Sequence, residues 1–263
     1  MNRKSNKIIT LGVSDLSFHR VTASLLANVL TEMGFLVNRI YSSHPDNFEK
    51  LKSGAVDMLS SAWLPSSDGI YKAEVEEQVA LIELGLHYEP YELWGVPDYV
   101  PLEDVEEISD LCKPNVRKKM RPAIQGIYSV AGITRSSLKI MDSYGLSQNG
   151  YRFFSGCEEC CYSTFEQAVK NKEWMVLPLW KPQFLHHSHT IRELKDPKGI
   201  LGTSDRAVAL LRGDRKDLFT QKELERLGAM RFSNEIITNL DYQVFYNKIP
   251  LDELSGKFLA NQI

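Results

Sequence analysis

The segment KIITLGVS at Lys7–Ser14, followed by TASLLANVLTEMGF at Thr22–Phe35, decides the fold class. The first run is apolar and rich in β-branched residues, as in a buried parallel strand. Apolar residues recur at helical spacing in the second run, at Leu25, Leu26, Val29, Leu30 and Met33. Gly34 then supplies a helix stop. Together the two runs predict one strand–helix unit.

The same alternation continues through the first 63 residues. LVNRIYS at 36–42 predicts a strand, DNFEKLKSG at 46–54 a short helix, and AVDMLSSAW at 55–63 a third strand. A β-α-β-α-β order is typical of a doubly wound α/β sheet. A second block of this kind ends at WMVLPLW, residues 174–180. We therefore expect an α/β protein with two lobes: residues 1–99 plus a mostly helical tail at 204–263, and residues 100–203.

Composition and charge narrow the class of partner. The chain has 263 residues and a formal net charge of −3. Its basic cluster, Arg117–Lys119 with Arg121, stands alone, so we expect no nucleic-acid partner. No apolar run is long enough to span a bilayer, and no direct membrane insertion is expected. The start MNRKSNKIITLGVSD has no secretory pattern. This predicts a cytoplasmic protein, or a periplasmic or extracytoplasmic one if a signal has been removed.

Three cysteines form a C-x-x-C-C cluster at Cys157, Cys160 and Cys161. Such a cluster is compatible with metal-bound thiolates, with a disulfide, or with small reduced residues at a strand-to-helix turn. A closed zinc site needs a fourth ligand, which no neighbouring motif supplies. We expect three free thiols, as in a reducing compartment, and no bound metal or cofactor. The HHSH run at 186–189 is interpreted as solvated or capping rather than metal-binding.

Two tryptophans occur in the same local context, Trp63 in SSAWLPS and Trp180 in VLPLWKP. Each follows an apolar strand-like run and precedes a proline by two residues. Open α/β sheets bind ligands beyond the carboxyl ends of their strands. Both tryptophans are predicted at that edge, although core packing is the competing interpretation. We predict that the loops at this edge line a ligand cleft. Its other predicted members are Ser14, Phe18 and His19 on the rim of lobe one and Tyr128 and Ser129 on the rim of lobe two.

The chemistry of such a cleft points to a cation. Aromatic ring faces attract positive charge, at roughly 0.5 to 2 kcal/mol per contact. A quaternary ammonium group suits this environment because it cannot donate hydrogen bonds.

The sequence motifs AWLP, VPDYV, LWKP and LKDPKG resemble those of the substrate-binding component of glycine betaine/proline betaine ABC importers. The resemblance runs from about Lys7 to about Gly202. It implies a type II periplasmic binding protein fold, with the ligand cleft between two lobes, and an ABC permease as partner in osmoprotective transport. It also implies that Trp63 and Trp180 are cage residues. Tyr128 would replace a third cage tryptophan, and Ser129 with neighbouring backbone N–H groups would hold a carboxylate.

This chain departs from the family pattern at the second tryptophan. Where the family often has W-x-P-H-W, the chain has Trp180-Lys181-Pro182-Gln183-Phe184. Gln183 therefore replaces a histidine donor in the predicted site. Because the pocket is altered, glycine betaine, choline and a carnitine-like compound all stay open as ligands.

Two functions from different classes follow. The first is a binding protein for a small quaternary ammonium compound, acting in an ABC importer or as a cytoplasmic sensor. The second is a cytosolic enzyme on the same fold that uses the CEECC cluster, similar to synthases of the thiamine pyrimidine precursor. The predicted cleft offers no paired carboxylate and no Ser/His/Asp set. We therefore favour the non-catalytic binding protein.

Overall fold

The computed structural model of the chain describes residues 7–261. These residues form two compact units. Lobe one contains the described residues up to Pro90 and from Asp205 onward, and lobe two contains Tyr91–Ser204. The chain thus enters lobe two at Tyr91, earlier than the expected residue 100, because the strand that starts there pairs within lobe two.

Lobe one is built on a five-stranded sheet. Numbered along the chain, its strands are β1 (Lys7–Ser14), β2 (Phe35–Ser42), β3 (Met58–Leu64), β4 (Leu81–Tyr88) and β10 (Arg206–Arg212). Their order is β2-β1-β3-β10-β4. β1 runs parallel to β2 and β3, whereas β10 is antiparallel to both β3 and β4. The tail was expected to be mostly helical, but its apolar run RAVALLR instead forms an interior strand.

Helices cover both faces of this sheet. They are α1 (Ser17–Glu32), α2 (His44–Ser53), α3 (Gly69–Glu76), α8 (Gln221–Gly228), α9 (Asn234–Phe245) and α10 (Leu251–Ala260). One core cluster joins β1 to α1 and α8, and a second joins β3 to α2 and α3. Gly12 permits the close packing of the second face, because a Cβ there would lie 2.6 Å from Leu59 Cδ2.

Lobe two contains two smaller sheets. Strands β5 (Tyr91–Pro97), β8 (Leu177–Lys181) and β9 (Ile191–Glu193) form an antiparallel sheet in the order β8-β5-β9. Strands β6 (Ala123–Gln125) and β7 (Arg152–Phe154) pair in parallel. The helices are α4 (Pro114–Arg117), α5 (Gly132–Ser143), α6 (Glu158–Asn171) and α7 (Leu185–Ser188). Between residues 7 and 261, no helix has the length and apolar character needed to cross a membrane.

His87 makes lobe one sensitive to acid. The imidazole is fully buried near the end of β4, 5.8 Å from the Phe232 ring, and neither ring nitrogen has a hydrogen-bond partner among the described residues. Burial, with a smaller contribution from Arg231, lowers the pKa of His87 from 6.5 to about 4. The folded lobe therefore holds His87 neutral, since a charge at this site would be desolvated.

We predict that acid destabilises the protein through His87. Because the folded-state pKa of His87 is depressed, its contribution to the free energy of unfolding is fully present above pH 6.5. This contribution is lost as the pH falls from 6.5 through about 4. A shift of this size corresponds to roughly 3 kcal/mol. Thermal unfolding across this range should show a shallower decline for His87→Leu than for the parent. The exposed His187→Leu variant should follow the parent, and equal slopes in all three proteins would contradict the assignment.

Candidate functional site

Four predicted site residues meet at one edge of the lobe-one sheet. Ser14 ends β1, Phe18 and His19 lie in the first turn of α1, and Trp63 is the penultimate residue of β3. The Trp63 ring centroid lies 5.4 Å from that of Phe18 and 5.7 Å from that of His19. Adjacent parallel strands end at the same sheet edge, which brings these residues together. With His44 and Tyr88, the three rings are called here the lobe-one aromatic cluster.

Trp63 is held in this cluster by hydrogen bonds as well as by packing. Its backbone N–H donates to Asp68 Oδ2 at 2.8 Å, and its indole Nε1 donates to the Tyr88 hydroxyl at 3.2 Å. The Tyr88 ring meets the Trp63 ring edge-on, at an interplanar angle of 87°. Ser61 Oγ lies 3.1 Å from the same hydroxyl. The indole, 7% exposed, is therefore fixed in one orientation.

A polar chain runs behind the rings. His44 Nδ1 lies 3.3 Å from Asp68 Oδ1 and 3.2 Å from Ser14 Oγ. The His44 ring is 5.1 Å from the His19 ring. His19 is buried, and neither of its ring nitrogens has a hydrogen-bond partner among residues 7–261. Burial, followed by the proximity of His44, lowers the pKa of His19 well below its ordinary 6.5. His19 is thus a neutral ring.

The loop after Trp63 is anchored by a second carboxylate. Asp205 accepts hydrogen bonds from the backbone N–H groups of Ser66 at 2.8 Å and Ser67 at 3.0 Å. Both Trp-x-Pro words share one backbone feature, since the Leu64–Pro65 and Lys181–Pro182 peptide bonds are both cis.

Trp180 occupies the matching position in lobe two, as the penultimate residue of β8. The side chain is 2% exposed, and its ring lies 6.5 Å from that of Tyr162 on α6. Tyr162 in turn meets Phe184 edge-on at 4.6 Å. The Trp180 carbonyl lies 3.1 Å from His186 Nε2, which carries the hydrogen because a carbonyl only accepts. Burial lowers the pKa of His186 to about 4, so this ring is also neutral.

The remaining predicted residues of lobe two have different environments. Gln183 is fully buried, and its Oε1 accepts the Leu185 N–H at 2.7 Å, which supports the start of α7. Tyr128 and Ser129 lie in the loop between β6 and α5, where Tyr128 is 46% exposed. Thr134 Oγ1 donates to the Ile127 carbonyl at 3.2 Å and ties this loop to α5. Trp180 and Gln183 are thus packed within the lobe, whereas Tyr128 lies at its surface.

The two other tryptophans are already engaged elsewhere in lobe two. Trp94 is fully buried and donates from Nε1 to Ser137 Oγ at 2.9 Å. The Trp174 ring is covered by Lys119 Nζ, 4.5 Å from its centroid. Trp94 is therefore a core residue, and Trp174 already has a cation of the chain as its partner.

The expectation of three free thiols is wrong for two of the cysteines. Cys157 and Cys160 form a disulfide, and their Cα atoms are 5.1 Å apart. Cys157 is the N-cap of α6, so one helical turn brings Cys160 within bonding distance. Cys161 is free and buried. Among the described residues, no group of three or more histidines, cysteines or carboxylates could hold a metal ion.

Sequence reasoning missed several residues of the site. They are His44, Asp68 and Tyr88 in lobe one and Tyr162 in lobe two. His44 follows β2 and Asp68 follows β3, so the rule that led to Ser14 and Trp63 also indicates them. Tyr88 and Tyr162 carry no such signal, because only the tertiary fold brings them to the tryptophans.

We predict that Tyr88→Phe destabilises lobe one by about 1 to 2 kcal/mol, because the buried Trp63 Nε1 and Ser61 Oγ lose their shared partner. Urea unfolding followed by tryptophan fluorescence measures the change. Tyr91→Phe is the matched control. Its partly exposed hydroxyl bonds Glu193, so a smaller effect is expected. Equal losses in the two variants would contradict a specific role for Tyr88.

Comparison with known proteins places this geometry in a family. Residues 7–261 match the family described as the substrate binding domain of the ABC-type glycine betaine transport system. The glycine betaine/carnitine transport binding protein GbuC of Listeria monocytogenes is 23% identical over 105 residues, which cover 40% of this chain. That match spans 35% of the relative's length.

Solved structures show the same fold. Lactococcal OpuAC, complexed with glycine betaine, superposes with a TM-score of 0.84 at 20% identity, covering 98% of this chain and 96% of its own. The glycine/betaine/L-proline-binding protein ProX from Borrelia burgdorferi gives 0.83 at 23% identity, covering 97% and 93%. These likenesses confirm the two-lobe α/β fold of periplasmic binding proteins. The family match covers nearly the whole chain, and it does not support the enzyme hypothesis. The chain belongs to the family of substrate-binding domains of ABC-type glycine betaine transport systems.

Proposed function

We propose that the chain binds a small quaternary ammonium compound, and that the rings of Trp63 and Trp180 contact its cationic head. The observation that carries the proposal is the fixed Trp63 ring within an aromatic cluster, in a chain of the glycine betaine transport family. An oriented ring needs no reordering when a cation arrives, so little of the attraction is lost to entropy.

The electrostatics of the lobe-one cluster favour a cation. Burial keeps His19 neutral, so this ring, 5.7 Å from the Trp63 ring, adds no positive charge. The buried Asp68 carboxylate accepts the Trp63 N–H and contributes negative charge behind the ring. The site therefore attracts an ammonium group without offering it a direct ion pair. A quaternary ammonium group has no N–H donor that would be left unpaired in such a site.

The ligand also carries a polar end in this proposal. Tyr128 and Ser129 precede α5, whose first-turn N–H groups and helix dipole favour a carboxylate. Glycine betaine and carnitine carry a carboxylate, and choline carries a hydroxyl. Relatives named for glycine betaine and for carnitine support the first two as ligands. In this proposal Tyr128 supplies a further aromatic ring, Gln183 orients the turn after Trp180, and Ser14, Phe18 and His19 contribute beside Trp63.

We predict that calorimetry detects binding of glycine betaine, choline or carnitine, and that the charge on nitrogen is required. The matched control is 3,3-dimethylbutyrate, in which carbon replaces the ammonium nitrogen of glycine betaine. Two cation–π contacts at roughly 0.5 to 2 kcal/mol each imply at least about fivefold weaker binding of this isostere. No heat and no thermal shift with any of the three compounds would refute the proposed function.

Truncation of either cage ring should weaken binding. Trp63→Ala and Trp180→Ala are each expected to lose about 1 to 2 kcal/mol or more of binding free energy. Trp174→Ala, which removes a ring already covered by Lys119, should bind like the parent. Thermal unfolding of each variant separates loss of the cage from loss of the fold. If the folded fraction and the affinity fell together, the two tryptophans would be core residues and the cage assignment would be wrong.

We further propose that the chain delivers its ligand to an ABC permease on the outer side of the cytoplasmic membrane. Family membership supports the permease partner, and the Cys157–Cys160 disulfide supports an oxidising compartment. Fractionation of the native cells, with a membrane-impermeant label for surface amines, tests the placement. Recovery of the protein in the unlabelled cytosolic fraction alone would instead favour the cytoplasmic sensor.

A further inference from the structure

The cysteine pair at the start of α6 has no part in the proposed ligand cage. Cys160 is exposed and Cys157 is half-buried, so an external thiol reaches the Cys160 sulfur first. We propose that Cys157–Cys160 is a thiol–disulfide exchange site that reacts with an external dithiol and thereby adjusts the lobe-two ligand residues. The second part of this inference rests on the proposed function, and the first part does not.

The two sulfurs are not equivalent as leaving groups. The Cys160 backbone N–H donates to Cys157 Sγ at 3.1 Å, and Cys157 is the N-cap of a 14-residue helix. Both features stabilise a thiolate on Cys157. Glu158 and Glu159 oppose this, although Glu158 accepts a hydrogen bond from the Tyr162 hydroxyl. Since a better-stabilised thiolate leaves faster, attack is favoured at Cys160 with Cys157 as the leaving group.

The exchange balances as a two-electron reaction. A thiolate of the dithiol attacks Cys160 Sγ, a mixed disulfide forms, and the Cys157–Cys160 bond breaks. The Cys157 thiolate takes a proton from water. The second thiol of the dithiol, as its thiolate, then attacks the dithiol sulfur that is bonded to Cys160 Sγ. This step releases the Cys160 thiolate, which is also protonated by water. The cysteine pair gains two electrons and two protons, and the dithiol becomes a cyclic disulfide.

The neighbouring thiol is kept out of this chemistry. Cys161 is fully buried, and its Sγ donates to the Gln125 carbonyl at 3.4 Å. Burial raises the pKa of Cys161 to about 12, so the group remains a thiol and is a poor nucleophile. The mixed disulfide on Cys160 therefore does not pass to Cys161. The pair can open and close without scrambling.

The chain before Cys157 packs on the loop that carries Tyr128 and Ser129. The Gly156 N–H donates to the Ile127 carbonyl at 3.3 Å. Gln125 Nε2 donates to the carbonyls of Gly126 at 2.9 Å and Phe154 at 3.2 Å. The fit is close, because a Cβ on Gly156 would lie 2.6 Å from Gln125 Nε2. Movement of the Gly156–Cys157 segment is therefore transmitted to the loop that carries Tyr128 and Ser129.

A second route connects the disulfide to the cage. Tyr162, in the second turn of α6, bonds Glu158 in the first turn through its hydroxyl and lies beside the Trp180 ring. Opening the disulfide frees the turn that holds Glu158. The Tyr162 ring that packs on Trp180 and Phe184 then loses part of its support. Reduction thus reaches both the loop and the tryptophan of lobe two.

The first experiment treats the folded, full chain with dithiothreitol, blocks thiols with iodoacetamide, and locates the label by mass spectrometry. Cys157 and Cys160 should become labelled under native conditions only after dithiothreitol treatment, while the buried Cys161 should become labelled only on unfolding. In a parallel sample that is reduced but not blocked, oxidised glutathione should re-form the disulfide, so that iodoacetamide added afterwards labels neither Cys157 nor Cys160. If Cys157 and Cys160 were reduced only after denaturant is added, the exchange site would be refuted. The Cys161→Ser variant should exchange like the parent, and a failure to reoxidise would implicate Cys161.

The second experiment measures the affinity for glycine betaine in the oxidised and the reduced protein. We expect about fivefold weaker binding after reduction, and the same loss in the Cys157→Ser/Cys160→Ser double variant. Cys112→Ser, which leaves the pair intact, is the matched control. Equal affinity in both redox states would overturn the coupling to the ligand residues. Absence of binding in every state would refute the proposed ligand, while the labelling experiment still decides the exchange site.

Discussion

Parallel pairing of β1 with β2 and β3 is the constraint on which the lobe-one site depends. Parallel neighbours end at the same edge of a sheet, so Ser14, His44 and Trp63 come from three separate chain segments to one place. β10 completes this sheet from the far end of the chain without adding a side chain to the cluster. β10 pairs antiparallel with β3 and β4 and so lies inside the sheet. The carboxyl ends of β1, β2 and β3 are followed by the loops that carry the cluster.

Burial of polar groups beside Trp63 is tolerated because most of them are paired. Asp68 is almost fully buried, yet its two oxygens are used by the Trp63 N–H and by His44. An unpaired buried carboxylate would cost several kcal/mol. His19 is the exception, since its nitrogens have no partner in the described part of the chain. Two buried and unpaired ring nitrogens cost stability, which makes His19 the least favourable polar group beside Trp63.

Much of this architecture is readable from the sequence, for identifiable reasons. Strand–helix alternation and the Trp-x-Pro motifs are local patterns, and they located β1 as well as β3 with Trp63 and β8 with Trp180. The position of β10 is not local, because an apolar run in a helical tail can join either a sheet or a helix. The disulfide also depends on context. A C-x-x-C spacing permits either free thiols or a disulfide. In this chain Cys157 is the N-cap of α6, and that position brings its sulfur within bonding distance of the Cys160 sulfur.

The same Trp-x-Pro motif ends a strand in two sheets whose strands pair differently. Trp63 lies on a strand with a parallel neighbour, whereas Trp180 lies on a strand of an antiparallel sheet. In both cases the proline two residues later lacks an N–H and does not extend the strand, although Pro178 is accommodated within the edge strand β8. Each strand therefore ends before its proline, and the tryptophan is its penultimate residue. The placement of the ring is thus determined by the strand end, and not by the direction of the neighbouring strand. The surroundings of the two tryptophans nevertheless differ, because a polar chain of Ser14, His44 and Asp68 lies behind Trp63, whereas Trp180 is followed by the capping Gln183.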